Sequence, residues 1–139
     1  MVHDREATVI CGGGGKTRLF KDKPEKYLDI DFFMWNNLDI KKKIEKLLLN
    51  KNINSIGNLY KKIMESNNTL RNDKRIILIH RPENALWLDR KIIGIYRPTK
   101  RLHELNIRDR SPFLKNLARN DWNSLEKYNP IEFDSYPFI

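Results

Sequence analysis

Cysteine is nearly missing from this chain: Cys11 stands alone, so no internal disulfide can form and no second thiol is present to share a zinc ion. A metal, if used, has to be held by oxygens. No apolar run approaches the length that spans a bilayer, so no membrane partner is expected. The opening MVHDREATVICGG has no basic stretch followed by unbroken apolar residues. No secretion signal is read there, and the expected location is cytoplasmic, or for a viral protein the host cytoplasm or the virion. Acids are the scarcer charge: 18 Asp and Glu face 27 Lys and Arg, a formal +9 at pH 7. Such an excess draws polyanions, which makes nucleotides, nucleic acids and acidic proteins the partner classes to weigh. Glycine is sparse except in one place, because four of the six glycines are consecutive.

What is present is enough for one buried core. A chain of 139 residues with 40% hydrophobic residues in short runs belongs to the globular class and accommodates a single domain. Ala7–Cys11 is a short, mostly apolar run ended by glycines, the pattern of a strand buried on both faces. A short helix is expected over Thr17–Lys23, limited by Pro24, and a second strand over Lys26–Phe33. Asp39 is positioned to cap a helix with Ile40, Ile44, Leu47 and Leu48 on one face. Ile56, Leu59, Tyr60 and Ile63 repeat that pattern, with Asn67-Asn68 at the exit. Arg75–His80 and Lys91–Tyr96 read as further strands, the former stopped by Pro82. Pro98–Ser111 is charged and poor in apolar periodicity, so a mobile or partner-dependent segment is expected. Ser111 and Pro112 then open a helix, and the final stretch PIEFDSYPFI supplies an edge strand. Alternating strands and helices imply a mainly parallel sheet of about five strands covered on both sides, an α/β/α arrangement that binds ligands beyond the C-terminal strand ends.

The glycine run lies at such an end. In CGGGGKT, glycines tolerate the dihedrals that turn backbone N–H groups toward an anion, the following helix aims its N-terminus there, Lys16 supplies charge and Thr17 a hydroxyl. Strand, glycines, Lys-Thr and helix in that order resemble the P-loop kinase superfamily, whose signature is G-x-x-x-x-G-K-[ST]. The match departs at one point: counting back from Gly15, the first-glycine position holds Ile10, so the loop is shortened. YLDID is similar to the Asp-x-Asp that small-molecule kinases of the shikimate and gluconate type carry after their second strand.

The resemblance implies one P-loop kinase-like domain over residues 1–139, with a lid at 98–111, that moves the γ-phosphoryl of ATP or another NTP with Mg²⁺. Its acceptor would be a nucleoside, a nucleotide or a polynucleotide 5′ hydroxyl. Gly12, Gly13, Gly14, Gly15, Lys16 and Thr17 would hold phosphate; Thr17 and Asp29 would serve the magnesium; Asp31 would accept the acceptor's proton. Asp29 and Asp31 are expected on one side of an extended chain. Trp35 and Arg81 would meet the acceptor, and among Arg97, Arg101, Arg108, Arg110 and Arg119 the resemblance favours Arg108 and Arg110 as lid arginines. The third strand ends in His80 where this superfamily often has a carboxylate. Trp87 and Trp122 can stack on bases or pack, and the lysines of KKKIEK lie opposite an apolar stripe. Two other expectations stay open. One is a protein of the same fold that has lost the chemistry and acts as a nucleic-acid-binding or viral assembly module. The other is an NTP hydrolase using water as acceptor.

Overall fold

In the computed structural model, which describes residues 5–136, five parallel strands form one sheet in the order β2-β3-β1-β4-β5. They are β1 (Glu6–Ile10), β2 (Tyr27–Asp29), β3 (Ile76–Ile79), β4 (Lys91–Pro98) and β5 (Ile131–Phe133). The helices are α1 (Lys16–Asp22), α2 (Ile30–Trp35), α3 (Leu38–Leu49), α4 (Ile53–Ser66), α5 (Asn68–Arg71), α6 (Pro82–Leu88), α7 (Lys100–Ile107) and α8 (Pro112–Ser124). The fold is α/β, with helices on both faces of the sheet, as the alternation of elements implies. Residues 137–139, at the end of the edge-strand stretch, lie outside the described residues.

Apolar alternation explains the layers. Ala7, Val9 and Cys11 point with Leu28, Ile77 and Ile79 into a large core against Met34, Ile44, Met64, Ala85 and Leu125. Ile10, Tyr27 and Leu78 point the other way, where Leu19 and Phe20 of α1 cover them. The chain runs from β1 past β3 to β2, and later from β3 past β1 to β4. Parallel crossovers are right-handed, so connections leaving the adjacent strands β1 and β3 depart toward opposite faces. A crevice opens between their C-terminal ends, the place where open α/β sheets bind ligands.

Three local expectations are corrected. The second strand stops at Asp29 instead of reaching Phe33, because the Asp29 side chain accepts the Asp31 N–H and caps α2. Asp29 and Asp31 are therefore a cap and a first-turn residue, not alternating members of a strand. Asn37, not Asp39, caps α3, its side chain accepting the Ile40 N–H. The charged segment after Pro98 is helix α7, capped by the Thr99 hydroxyl and anchored by buried His103 and Ile107. It buries only His103 and Ile107, too few to leave an apolar period in the sequence. Pro82, expected to end a strand, also opens α6 at its first position.

Arg90 ties the far end of the sheet together. It is 7% exposed, and its guanidinium donates to the carbonyls of Glu6, Leu70, Arg71, Asp73 and Arg75. Burial lowers its pKa to about 10. Replacing it with methionine would leave buried carbonyls without donors, each costing roughly 1–3 kcal/mol. We expect Arg90→Met to lower stability by about 3 kcal/mol and the melting temperature by about 10 °C in thermal denaturation. A melting temperature unchanged by the substitution would contradict the clasp.

Candidate functional site

The loop between β1 and α1 is built by its glycines. Gly13 has φ 79 and Gly15 has φ 99, the left-handed region that other residues seldom enter. The Gly14 N–H bonds to the Cys11 carbonyl at 2.8 Å, closing a tight turn directly after β1. Gly15 is the N-cap of α1 and offers no side-chain cap, so the first-turn N–H groups of the helix have no capping side chain. The carbonyls of the loop are engaged by side chains from later in the chain. His103 Nε2 lies 2.8 Å from the Gly12 oxygen, Asn106 Nδ2 donates to the Gly13 oxygen at 2.9 Å, and the Tyr136 hydroxyl donates to the Gly14 oxygen. Desolvation lowers the pKa of His103, which favours a neutral ring that donates Nε2–H to Gly12. The Arg18 guanidinium lies 4.7 Å from the centre of the Tyr136 ring.

Lys16 and the two aspartates meet beside this loop. Lys16 is 5% exposed; its Nζ donates to the Ile10 carbonyl at 3.2 Å and lies 3.9 Å from Asp31 Oδ2. The Thr17 hydroxyl donates to Asp29 Oδ2 at 3.1 Å. Asp31 forms the hub: His80 Nε2 is 2.7 Å from its Oδ2, and the Tyr60 hydroxyl donates to its Oδ1 at 3.0 Å. Desolvation pushes the Asp31 carboxyl up, but the His80 charge and hydrogen bond, with Lys16 and Tyr60, outweigh it and hold the group well below the usual carboxylate range. Asp29 goes the other way. Its burial, followed by the Asp31 charge, raises its pKa against the opposing pull of Lys16. Burial and then the adjacent Asp31 charge also push the Tyr60 hydroxyl up, so it stays a donor.

Lys16, Thr17, Asp31, His80 and Tyr60 line one cleft of about 1540 Å³ that runs from the glycine loop to residues of α3 and α4. That exceeds the roughly 300–1,000 Å³ of a site for one small ligand. Of the residues expected at the site, Gly12, Gly13, Gly15, Lys16, Thr17, Asp31, Trp35, Arg81 and Arg110 line it. Gly14 is buried within the loop, and Asp29 is buried behind Thr17. Arg108 is not among the lining residues; its side chain is 67% exposed, 3.9 Å from Asp109. Arg97 is a structural residue, stacked 3.8 Å from the centre of the Trp122 ring and paired with Glu126 and Glu132. Arg101 and Arg119 pair with Asp134 and Glu104. Arg81 reaches the cleft but is engaged, its Nε and Nη2 both donating to Asp121 Oδ1 at 3.0 and 2.8 Å.

Several site residues escaped the sequence. Tyr60 falls on the apolar stripe of α4, and only the fold brings its hydroxyl to Asp31. His103 and Asn106 share a face at helical spacing, a signal legible only once α7 is recognised as a helix. Gly57 sits in the interior of α4, where glycine costs about 1 kcal/mol relative to alanine, and a Cβ added there would meet nothing within 4 Å. Comparison of the chain with protein-family models, with curated proteins and with solved structures returns no match.

Among the described residues no group of three or more His, Cys, Asp and Glu side chains is placed to hold a metal ion. The Thr17 hydroxyl and Asp29 carboxylate are a hard-oxygen pair of the kind that serves magnesium when phosphates and waters complete the shell. No described helix is long and apolar enough to cross a membrane.

The two aspartates carry opposite stability signs. Asp31 has a folded pKa below its unfolded value, so its contribution is present above about pH 4 and is lost as pH falls through the folded pKa. For Asp29 the folded pKa is raised, so its ionised form costs stability at neutral pH and that cost vanishes in acid. Denaturant unfolding at pH 7 should find Asp31→Asn destabilised and Asp29→Asn equal to or more stable than wild type. Both differences should shrink toward pH 3, and equal losses at pH 7 would contradict the assignment.

Proposed function

We propose that the protein is a magnesium-dependent phosphotransferase of the P-loop kinase type. It moves the γ-phosphoryl of ATP or another NTP to a nucleoside, a nucleotide or a polynucleotide 5′ hydroxyl. The observation that carries this is the meeting of Lys16 and Asp31, 3.9 Å apart at the ends of adjoining elements, inside a cleft with room for two ligands. A phosphate-holding cation and a carboxylate base have to be neighbours, because the hydroxyl being deprotonated attacks the phosphorus the cation holds.

Each residue has a role in that chemistry. The glycine loop offers backbone N–H groups and the uncapped start of α1 to the phosphates, and Lys16 neutralises their charge. Thr17 and Asp29 would hold the magnesium, which supplies charge neutralisation on the phosphates when bound. Asp31 accepts the proton of the acceptor hydroxyl as that oxygen bonds to phosphorus, while the bond to the bridging oxygen breaks and the nucleoside diphosphate leaves. His80 and Tyr60 fix the direction of the Asp31 carboxylate. Arg110, which lines the cleft, replaces the pair Arg108 and Arg110 as the arginine placed to meet developing charge.

One observation favours a second reading, a module of this fold that binds without turnover. The Lys16 amine is turned toward the Ile10 carbonyl, and three successive loop carbonyls are already held by His103, Asn106 and Tyr136. A loop so fixed stays shaped without phosphate. On this second reading the basic surface binds nucleic acid, with an affinity that falls steeply with salt.

Calorimetric titration of MgATP into wild type and Lys16→Ala separates the two. The phosphotransferase proposal expects micromolar binding by wild type, weakened at least about 100-fold in the variant, equivalent to a lost charge-assisted contact of about 2.7 kcal/mol. Wild type that binds no nucleotide would sink it.

A further inference from the structure

The far end of the cleft is apolar where the loop end is charged. Ile44 and Leu48 of α3, Ile53 and Ile56 of α4, and Leu114 and Leu117 of α8 line it. Trp35, 36% exposed, joins the same lining, as do Asn54 and Asn58 on either side of Gly57. Asp31 and Tyr60 stand where this chamber meets the glycine loop.

We infer that this chamber is a subsite for an uncharged nucleoside, whose base enters between α3, α4 and α8 and whose hydroxyl is presented to Asp31. The inference rests on the phosphotransferase proposal and selects one acceptor from the classes it allows. Gly57 is the first reason. A glycine inside a helix weakens it, and here no neighbouring atom requires one, since a Cβ would enter open space. That space belongs to the cleft, so the glycine keeps room for something to lie against the helix backbone. The second reason is the pattern of charge. Lys16, Arg18 and Lys21 line the cleft from α1, and Arg110 from the turn before α8. Beyond them Arg81 is held by Asp121, and Lys61 is exposed with its Nζ 5.9 Å from the centre of the Trp87 ring. An acceptor bearing its own phosphate would set that charge beside the Asp31 carboxylate, a like-charge approach that an uncharged nucleoside avoids, and a polynucleotide would bring several charges. The third reason is the chemistry of the walls. Carboxamides both donate and accept, as a base edge requires, and an exposed indole offers a stacking face.

The test is binding without ATP, by calorimetry on the full chain. The probes are adenosine, guanosine, cytidine, thymidine and uridine, their 5′-monophosphates, and a 5′-hydroxyl oligonucleotide. At least one nucleoside should bind, with its monophosphate at least about tenfold weaker. Gly57→Leu, a change that favours the helix and so keeps the fold, should weaken nucleoside binding by about tenfold or more and leave MgATP binding unchanged. Gly57→Ala, adding one methyl group, should fall between. The inference is overturned if no nucleoside binds, if monophosphates or the oligonucleotide bind as tightly as nucleosides, or if Gly57→Leu binds nucleoside like wild type. Nucleoside binding by a wild type that ignores MgATP would overturn the phosphotransferase proposal alone and leave the subsite standing.

Discussion

The Asp31 carboxylate is the point on which the cleft is organised. Its two oxygens are held by His80 from the end of β3 and Tyr60 from the middle of α4, and Lys16 from the glycine loop stands 3.9 Å away. Three segments distant in sequence are thereby fixed relative to one carboxylate. Its net negative charge survives partial burial because the cationic and donor groups around it outweigh desolvation. Asp29, two residues earlier, is buried and pays the opposite penalty, yet it caps α2 and accepts the Thr17 hydroxyl. A charge held at a cost to stability is what a site built for binding shows.

The sheet order makes this meeting possible. Because β1 and β3 are neighbours whose connections leave toward opposite faces, the glycine loop and His80 border one crevice, and β2 delivers Asp29 beside them. Helix α7 also holds the loop through His103 and Asn106, and the segment after β5 adds Tyr136. The shortened loop thus owes its shape to side chains contributed by the last third of the chain. Gly13 and Gly15 supply the dihedrals, and the surrounding donors satisfy the carbonyls that those dihedrals turn outward.

Much of this was legible in the residues, and the exceptions have physical causes. The alternation of apolar runs with amphipathic stretches predicts the parallel α/β sheet, and Ser111-Pro112 marks the start of α8. Gly12–Gly15, Lys16 and Asp31 could be singled out because four of the six glycines are consecutive, Lys-Thr follows them directly, and the Asp-x-Asp of YLDID lies a short way on. Helix α7 was not legible: it buries only His103 and Ile107, too few to leave a period. The strand boundary at Asp29 was missed because YLDIDFF alternates as well as a strand does, and a side-chain cap decided the outcome. Tyr60 and Gly57 carry no local mark of function. One looks like a core aromatic and the other like a chance interruption of a helix, and only the fold turns both toward the cleft.

The proposed phosphoryl transfer rests on the glycine loop, the Asp31 carboxylate and the apolar chamber lying in one cleft, and the direct test is to follow the phosphoryl group itself. Wild type and Asp31→Asn would be incubated with magnesium, γ-labelled ATP and the nucleoside that binds the chamber, and the label traced. The account predicts label on the nucleoside with wild type, and almost none with Asp31→Asn even though that variant still binds ATP. Label that appears only as free phosphate, or transfer that proceeds equally in both proteins, would contradict it.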